Sequence, residues 1–294
     1  MPNLTKLLND AFRYPGRVLA CAVVGGVLVW AYGASMAGLV HRWWTEPDYV
    51  YGFLVVPFSL ALLWLRRDRY PQTPRGSLWG LAFLGLTALM RFASAYYQYA
   101  LIDPLSLVPC LAGVTVLSLG WQGLRWAWPS IVYLLFMVPL PGFLASLLSQ
   151  PLQYVGASVS AYFLQTLSIP ASARGMVISL SHSELGVEEA CSGLKMLMLF
   201  LAVCTAAALV MHRDPWQRVI LVLSSAPIAV IANVLRITIT GVLYETTGPQ
   251  WAEIVFHDLA GWLMMPLAVI LSWLEMTLLA LLFQPAEEWE SDWL

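Results

Sequence analysis

From residue 18 to residue 40 the chain carries no charged side chain. A helix of that length rises about 34 Å at ~1.5 Å per residue, enough to cross a hydrocarbon core of roughly 30 Å. Comparable apolar runs recur as far as residue 283. In a bilayer the backbone has no water to bond, so a spanning segment must satisfy its own N–H and C=O groups, which an α-helix does. Composition points the same way. Charged residues make up 11% of the 294 and hydrophobic ones 60%, whereas a soluble domain is roughly 25% charged. So few charges cannot cover a water-facing surface. The fold class expected is an all-α polytopic membrane protein forming a single integral domain, 1–294. The near-neutral net charge of −2 and the short basic clusters give no sign of a nucleic-acid partner.

Eight spans are read, at 18–40, 50–65, 77–95, 104–119, 126–139, 192–211, 219–244 and 258–283. Their basic flanks set an orientation. Lys6, Arg13 and Arg17 precede the first span, and Arg66, Arg67, Arg69 and Arg75 follow the second. Arg125 lies between the fourth and fifth, and Arg213 and Arg218 between the sixth and seventh. All fall on one side, leaving Arg42, Arg91 and Arg174 toward the other. Both termini are therefore expected in the cytoplasm, with residues 284–294 as a cytoplasmic tail. Trp43, Trp44, Tyr96, Tyr97, Tyr99 and Trp251 would form the outer aromatic belt. The first run lacks a convincing cleavage site and reads as a retained helix.

This count requires that 142–168 does not cross the membrane. Leu144, Leu147, Leu148, Leu152, Val155, Val159, Tyr162 and Phe163 recur there at helical spacing, and Ser146, Ser149, Gln150, Gln153, Ser160 and Gln165 fill the other face. The expectation is an amphipathic helix, or a pair broken at Pro151, lying on the outer surface or re-entering it, with its polar face toward a polar cavity. Residues 174–189 alternate weakly through Met176, Ile178 and Leu180 and read as an outer, strand-like loop.

Four cysteines are present. Cys191 and Cys204 stand thirteen residues apart on one expected helix, about 20 Å at ~1.5 Å per residue, too far for a disulfide. Cys21, Cys110 and Cys204 sit inside apolar runs and read as small fillers. Cys191 differs, because a short polar segment becomes an apolar helix there, at Glu189-Ala190-Cys191-Ser192-Gly193. Water access and the positive end of a helix dipole both favour a reactive thiolate. The sixth helix then descends about 29 Å to Met211, and the seventh rises about 27 Å from Arg218 to Arg236. Arg236 thus returns to nearly the depth of Cys191, and His257 opens the descending eighth helix.

These three residue types can run acyl transfer. A thiolate attacks a carbonyl and holds it as a thioester. An imidazole takes and returns protons near neutrality. A guanidinium stabilises an oxyanion or a thiolate. Asn233, one turn before Arg236, would orient that guanidinium or bind substrate backbone. Gly193 allows close backbone approach, Gly261 tight packing of a neighbouring helix, and Glu189 would orient an imidazole or complement a helix start. His41 and His182 compete with His257 for the imidazole role, while His212 falls on the inner side. Glu245, Glu253 and Asp258 read as solvated outer-loop charges, and Arg91 and Asp103 as a structural pair.

The blocks Glu189-Ala190-Cys191-Ser192-Gly193-Leu194, Asn233-Val234-Leu235-Arg236-Ile237 and His257-Asp258-Leu259-Ala260-Gly261-Trp262 together resemble the exosortase/archaeosortase family, most closely over 126–283. Lys195 stands where many relatives carry Arg. The resemblance implies a cysteine protease-transpeptidase with its catalytic core in 126–283 behind N-terminal helices in 1–125. Its substrates would be exported proteins ending in a short motif such as Pro-Glu-Pro, a hydrophobic helix and a basic tail. Cleavage would occur at the outer face of the cytoplasmic membrane, before transfer to an acceptor nucleophile that is a lipid, a glycan or water, with membrane lipid as a further partner. Cys191 would be the nucleophile and Arg236 and His257 its partners, with Asn233, Glu189, Ser192 and Gly193 binding or orienting; no metal and no cofactor are implied. The proton donor to the leaving group is left open between Arg236 and His257. Two other readings fit the residues less well. A CAAX-type membrane protease would use Glu188-Glu189, but it needs more intramembrane histidines than the chain holds. A transporter or assembly subunit of a surface-polysaccharide system would need mid-membrane charge, which is scarce here.

Overall fold

The computed structural model describes residues 15–46, 49–73, 75–181, 184–187, 193–210, 214–247, 270, 271, 273, 274 and 277. The chain is mostly helical. Helices α1 (Pro15–Thr45), α2 (Gly52–Leu65), α3 (Gly80–Tyr97), the single turn α4 (Ile102–Leu105) and α5 (Leu107–Tyr133) form the N-terminal part. Then come α6 (Gly142–Thr166), the strands β1 (Ser172–Arg174), β2 (Val177–Ser179) and β3 (Glu184–Gly186), and helices α7 (Leu194–Val210) and α8 (Pro215–Thr247).

Surface and interior are arranged for lipid. Trp30, Trp44, Leu89 and Leu223 are exposed, while Ser59, Ser130, Ser160, Ser225 and Thr238 are buried. Without a hydrophobic drive between helices, small and hydroxylated residues take the contacts, where they pack closely and bond across helices. Three stretches among the described residues are long and apolar enough to cross a bilayer: Ala22–Thr45, Ile102–Met137 and Pro215–Thr247. Gly52–Leu65 and Leu194–Val210 are shorter apolar helices. The expected eighth span lies almost wholly outside the described residues, as do both termini.

The fourth and fifth expected spans run on into each other as α5, broken at Gly120 with φ 72° and ψ −167°, a conformation open to glycine and strongly disfavoured elsewhere. The chain kinks there. Before the break, Gly113 approaches Gly80 at the start of α3. After it, Ser130 O accepts the Ser59 hydroxyl of α2 at 2.9 Å, and Arg125 O accepts Arg66 Nη2 at 3.3 Å. The second bond has a local cause. Pro129 lacks the N–H that would bond Arg125 O within the helix, and the guanidinium takes the freed carbonyl. Arg66, Arg69, Arg125 and Arg218 therefore share one end of the bundle, as the grouping of basic residues predicts. Burial lowers the Arg66 pKa, and repulsion from Arg69 and Arg218 adds to the effect.

Toward the opposite end, Arg91 of α3 pairs with Asp103 of α4, Nε to Oδ1 at 2.9 Å, the structural pair expected. Its Nη2 also donates to Ala31 O at 2.7 Å, and its guanidinium lies 4.7 Å from the Tyr32 ring centroid. Ser35 of α1 donates to the other Asp103 oxygen, and the Tyr32 and Ser106 hydroxyls meet at 2.9 Å. This polar cluster fastens α1 to the bundle.

The segment at 142–168 forms the expected helix and packs along α8. It forms one continuous helix through Pro151. It also runs parallel to α8, since Gly156 meets Asn233 and Ile237, Ser160 bonds Val234 O, and Leu164 meets Gly241. Its buried stripe is Gln153, Gly156, Ala157, Ser160, Ala161 and Leu164. The leucines and aromatics of the apolar face, among them Leu147, Val155, Tyr162 and Phe163, are exposed, while Gln153 and Ser160 of the polar face turn inward. Small residues between them complete the packed face. The helix ends at Thr166; beyond it Ser168 lies in the left-handed region at φ 63°, with Ile169 N–H bonded back to Leu164 O at 3.0 Å.

The strand-like reading of 174–189 holds over its described residues, and the all-α fold class is corrected: with residues 172 and 173 the segment forms a three-stranded antiparallel sheet in the order β1-β2-β3. Ile178 pairs with Leu185 across the sheet. Both side chains, with Val187, pack on Ala157, Ala161, Leu164 and Ile237. The sheet thus covers the α6–α8 contact and delivers the chain to the start of α7.

Candidate active site

Cys191, Ser192, Glu189 and His257 lie outside the described residues, as do the rival His182 and Gly261. His41 is exposed on α1, which packs against α2 and α4. The described members of the expected constellation are Gly193, Asn233 and Arg236.

Gly193 is buried, immediately precedes α7 and has φ +63°. Its carbonyl accepts the Leu197 N–H at 3.0 Å, the first bond of the helix. A Cβ placed on Gly193 would stand 3.2 Å from Leu152 Cβ and 3.3 Å from Asn233 Nδ2. Both the backbone conformation and the space therefore favour glycine. Gly156, one turn beyond Leu152 on α6, leaves Asn233 Nδ2 similar room at 3.3 Å and meets Ile237 Cδ1 at 3.0 Å. Three helices converge here, and the Asn233 carboxamide lies where two of them lack a Cβ.

Asn233 is 2% exposed, and neither Oδ1 nor Nδ2 has a hydrogen-bond partner among the described residues. Leaving a buried donor or acceptor unpaired costs about 1–3 kcal/mol. The surrounding backbone is well served, since Val234 O accepts the Thr238 hydroxyl at 2.8 Å and the Ser160 hydroxyl at 3.1 Å. Arg236 follows one turn later, partly buried, with its carbonyl accepting the Thr240 hydroxyl at 2.9 Å. An amide with both functions available, beside a guanidinium and a helix start, can bind a peptide group or an oxyanion.

Glu245 is a correction. Expected as a solvated loop charge, it lies on α8, partly buried, and its Oε2 is buried without a partner among the described residues. The helix simply continues through the stretch read as a turn, because Glu245 and its two following threonines extend it to Thr247. The threonine hydroxyls bond back to Val242 O and Leu243 O, both at 2.8 Å. Sequence reasoning also missed Leu152 and Gly156, which close the α6 side. A Gly-Ala and Ser-Ala repeat four residues apart, at 156–157 and 160–161, was the available signal.

No curated protein and no solved structure matches the chain at a significant level. The family model described as Transmembrane exosortase (Exosortase_EpsH) matches residues 43–274, from the end of α1 past α8. The chain belongs to the transmembrane exosortase family.

Proposed function

We propose that the protein is a membrane-embedded cysteine transpeptidase that cleaves C-terminal sorting signals of exported proteins. Family membership supports a sorting transpeptidase role. The observation that carries the residue assignment is the approach of Asn233 to Gly193 at the start of α7. Chain connectivity keeps the Cys191 Cα within ~7.6 Å of the Gly193 Cα, so a thiol two residues away works in the neighbourhood of Asn233 and Arg236.

In this reading the Cys191 thiolate attacks the scissile carbonyl and forms a thioester. Arg236 supplies fixed positive charge to the thiolate and the developing oxyanion. His257 passes a proton to the departing amine and recovers one from the acceptor. Glu189 and Ser192 orient these groups. The site faces outward from the cytoplasmic membrane and both termini are cytoplasmic. A substrate helix with a basic tail then obeys the same charge rule and presents its scissile bond beside Cys191. Substrate proteins enter from the lipid, past α6.

The test is processing of an exported reporter ending in Pro-Glu-Pro, an apolar helix and an arginine-rich tail, followed by intact mass. Wild type shortens the reporter and Cys191→Ala leaves it full length. Unchanged processing in that variant sinks the mechanism and returns the transporter or assembly reading.

A further inference from the structure

At the basic end of the bundle, guanidiniums gather without a carboxylate between them. Arg66 caps α2, and Arg69 follows in the next turn with its N–H bonded to Arg66 O at 2.9 Å. Arg218 stands in the first turn of α8, and its charge, like that of Arg69, repels the charge of Arg66. Arg66 cannot swing away, because its Nη2 is bound to Arg125 O of α5 at 3.3 Å. Its Nε is buried without a partner among the described residues. Asp68 and Asp214 are the described carboxylates at this end, and neither forms an ion pair with Arg66 or Arg69.

Arginines that merely snorkel from helix ends spread outward, each into its own water. Here a backbone carbonyl pins one of them beside two others. Guanidiniums so placed repel, and an anion among them turns repulsion into attraction. The depth of the cluster says which anion. Tyr70, four residues after Arg66, packs edge-on against Trp126 with ring centroids 5.1 Å apart, and Arg67 lies 5.0 Å from the exposed Trp64 ring. Tyr and Trp gather at the level of the lipid headgroups. The abundant anion there is phospholipid phosphate, and basic pockets between helix ends bind it. A zwitterionic headgroup would bring an ammonium into the same positive field, which favours an anionic one.

We propose that Arg66, Arg69 and Arg218 form a binding site for the phosphate of an anionic phospholipid. The phosphodiester oxygens accept from the guanidinium N–H groups, whose planar fork suits two-point bonding. The lipid thereby ties the end of α2 to the start of α8, and the Arg66 bond to Arg125 O carries α5 with them. The site stands apart from the transpeptidase reading and does not depend on it.

The experiment uses the full-length protein purified in a neutral detergent. Phosphatidylglycerol, phosphatidylcholine and inorganic phosphate are each titrated in while the thermal midpoint is followed, because a ligand of the folded state raises it. Phosphatidylglycerol is expected to raise the midpoint saturably, and the other two to leave it unchanged at matched concentration. Arg69→Gln should raise the half-saturating phosphatidylglycerol ~5-fold, and Arg66→Gln with Arg69→Gln ~25-fold. Arg69 is exposed, so its single variant should keep the wild-type midpoint without lipid. Arg75→Gln is the control. Arg75 is exposed, its backbone meets Gly120, and it is not among the charges acting on Arg66. Its loss should move half-saturation less than about twofold. An equal rise with phosphatidylcholine overturns the proposal, as does an equal rise with inorganic phosphate, which would make this a site for a free anion. So does an unchanged half-saturation in Arg69→Gln, or an Arg75→Gln effect as large as that of Arg69→Gln, which would make the attraction a diffuse property of the whole basic end.

Discussion

Two buried polar sites in this bundle have opposite bonding. The Arg91 and Asp103 side chains are 35% and 21% exposed, yet they bond each other, Ala31 O and Ser35. Asn233 is far more enclosed, at 2%, yet neither of its amide atoms has a partner among the described residues. If enclosure alone drove satisfaction, the order would be reversed. In a medium where an unpaired polar group is costly, a satisfied cluster is explained by the helix it fastens. An unsatisfied one needs a ligand to explain it. The first site holds α1 in place. The second sits beside Gly193, where α6, α7 and α8 converge.

The sharpest way to break this contrast is at Arg236. Arg236→Gln is expected to lower reporter processing by at least ~10³-fold, since in the proposed function it removes the positive charge that steadies thiolate and oxyanion. Arg236→Lys should recover only part of the loss, because an ammonium keeps the charge without the planar fork. The thermal midpoint of both variants should stay near wild type. A midpoint that falls in step with processing would place Arg236 in the same class as Arg91.

At the satisfied site the expected effect is on stability. Asp103→Leu leaves the Arg91 guanidinium without its carboxylate and should cost about 2–4 kcal/mol, somewhat below a fully buried pair because both groups keep some exposure. The double variant Arg91→Met with Asp103→Leu should regain most of that loss, since replacing both partners by apolar groups removes the stranded charge. Chemical denaturation in detergent measures both. Processing per folded molecule should be unchanged. A double variant no better than the single one would mean that Ala31 and Tyr32, rather than the pair, dominate the clasp.

How far each site could be read from the sequence follows from the same physics. Helix rise is nearly constant, so counting down from residue 192 and up from Arg218 brings the seventh helix back to the depth where the sixth begins. Gly193 and Asn233 meet there. The basic end was legible because charge outside a bilayer follows one rule, and Arg66, Arg69, Arg125 and Arg218 do gather. The α6 wall was legible in part, because Gln153 and Ser160 of the expected polar face do turn inward. Sorting 142–168 into apolar and polar faces says nothing of the small residues between them. In lipid the leucines face outward at no cost, and Gly156, Ala157 and Ala161 complete the packed face. Glu245 was misread for a related reason: a charge and two threonines suggest a turn, but threonine hydroxyls that bond back to helix carbonyls let α8 continue.

The smallest effect tests the contrast from the structural side of the site itself. Ser160 lies one turn past Gly156 on α6, and its hydroxyl donates to Val234 O, the carbonyl of the residue after Asn233. Thr238 donates to that same carbonyl at 2.8 Å. Ser160→Ala therefore strands no acceptor, and its cost should stay near or below ~1 kcal/mol. The α6–α8 contact tightens around the smaller side chain, and processing should change less than about twofold if Asn233 is held by α8 alone. A larger loss of processing at that small stability cost would mean that α6 sets the Asn233 rotamer through this bond. The unpartnered amide would then depend on the partnered hydroxyl beside it, and the two kinds of polar group would be parts of one device.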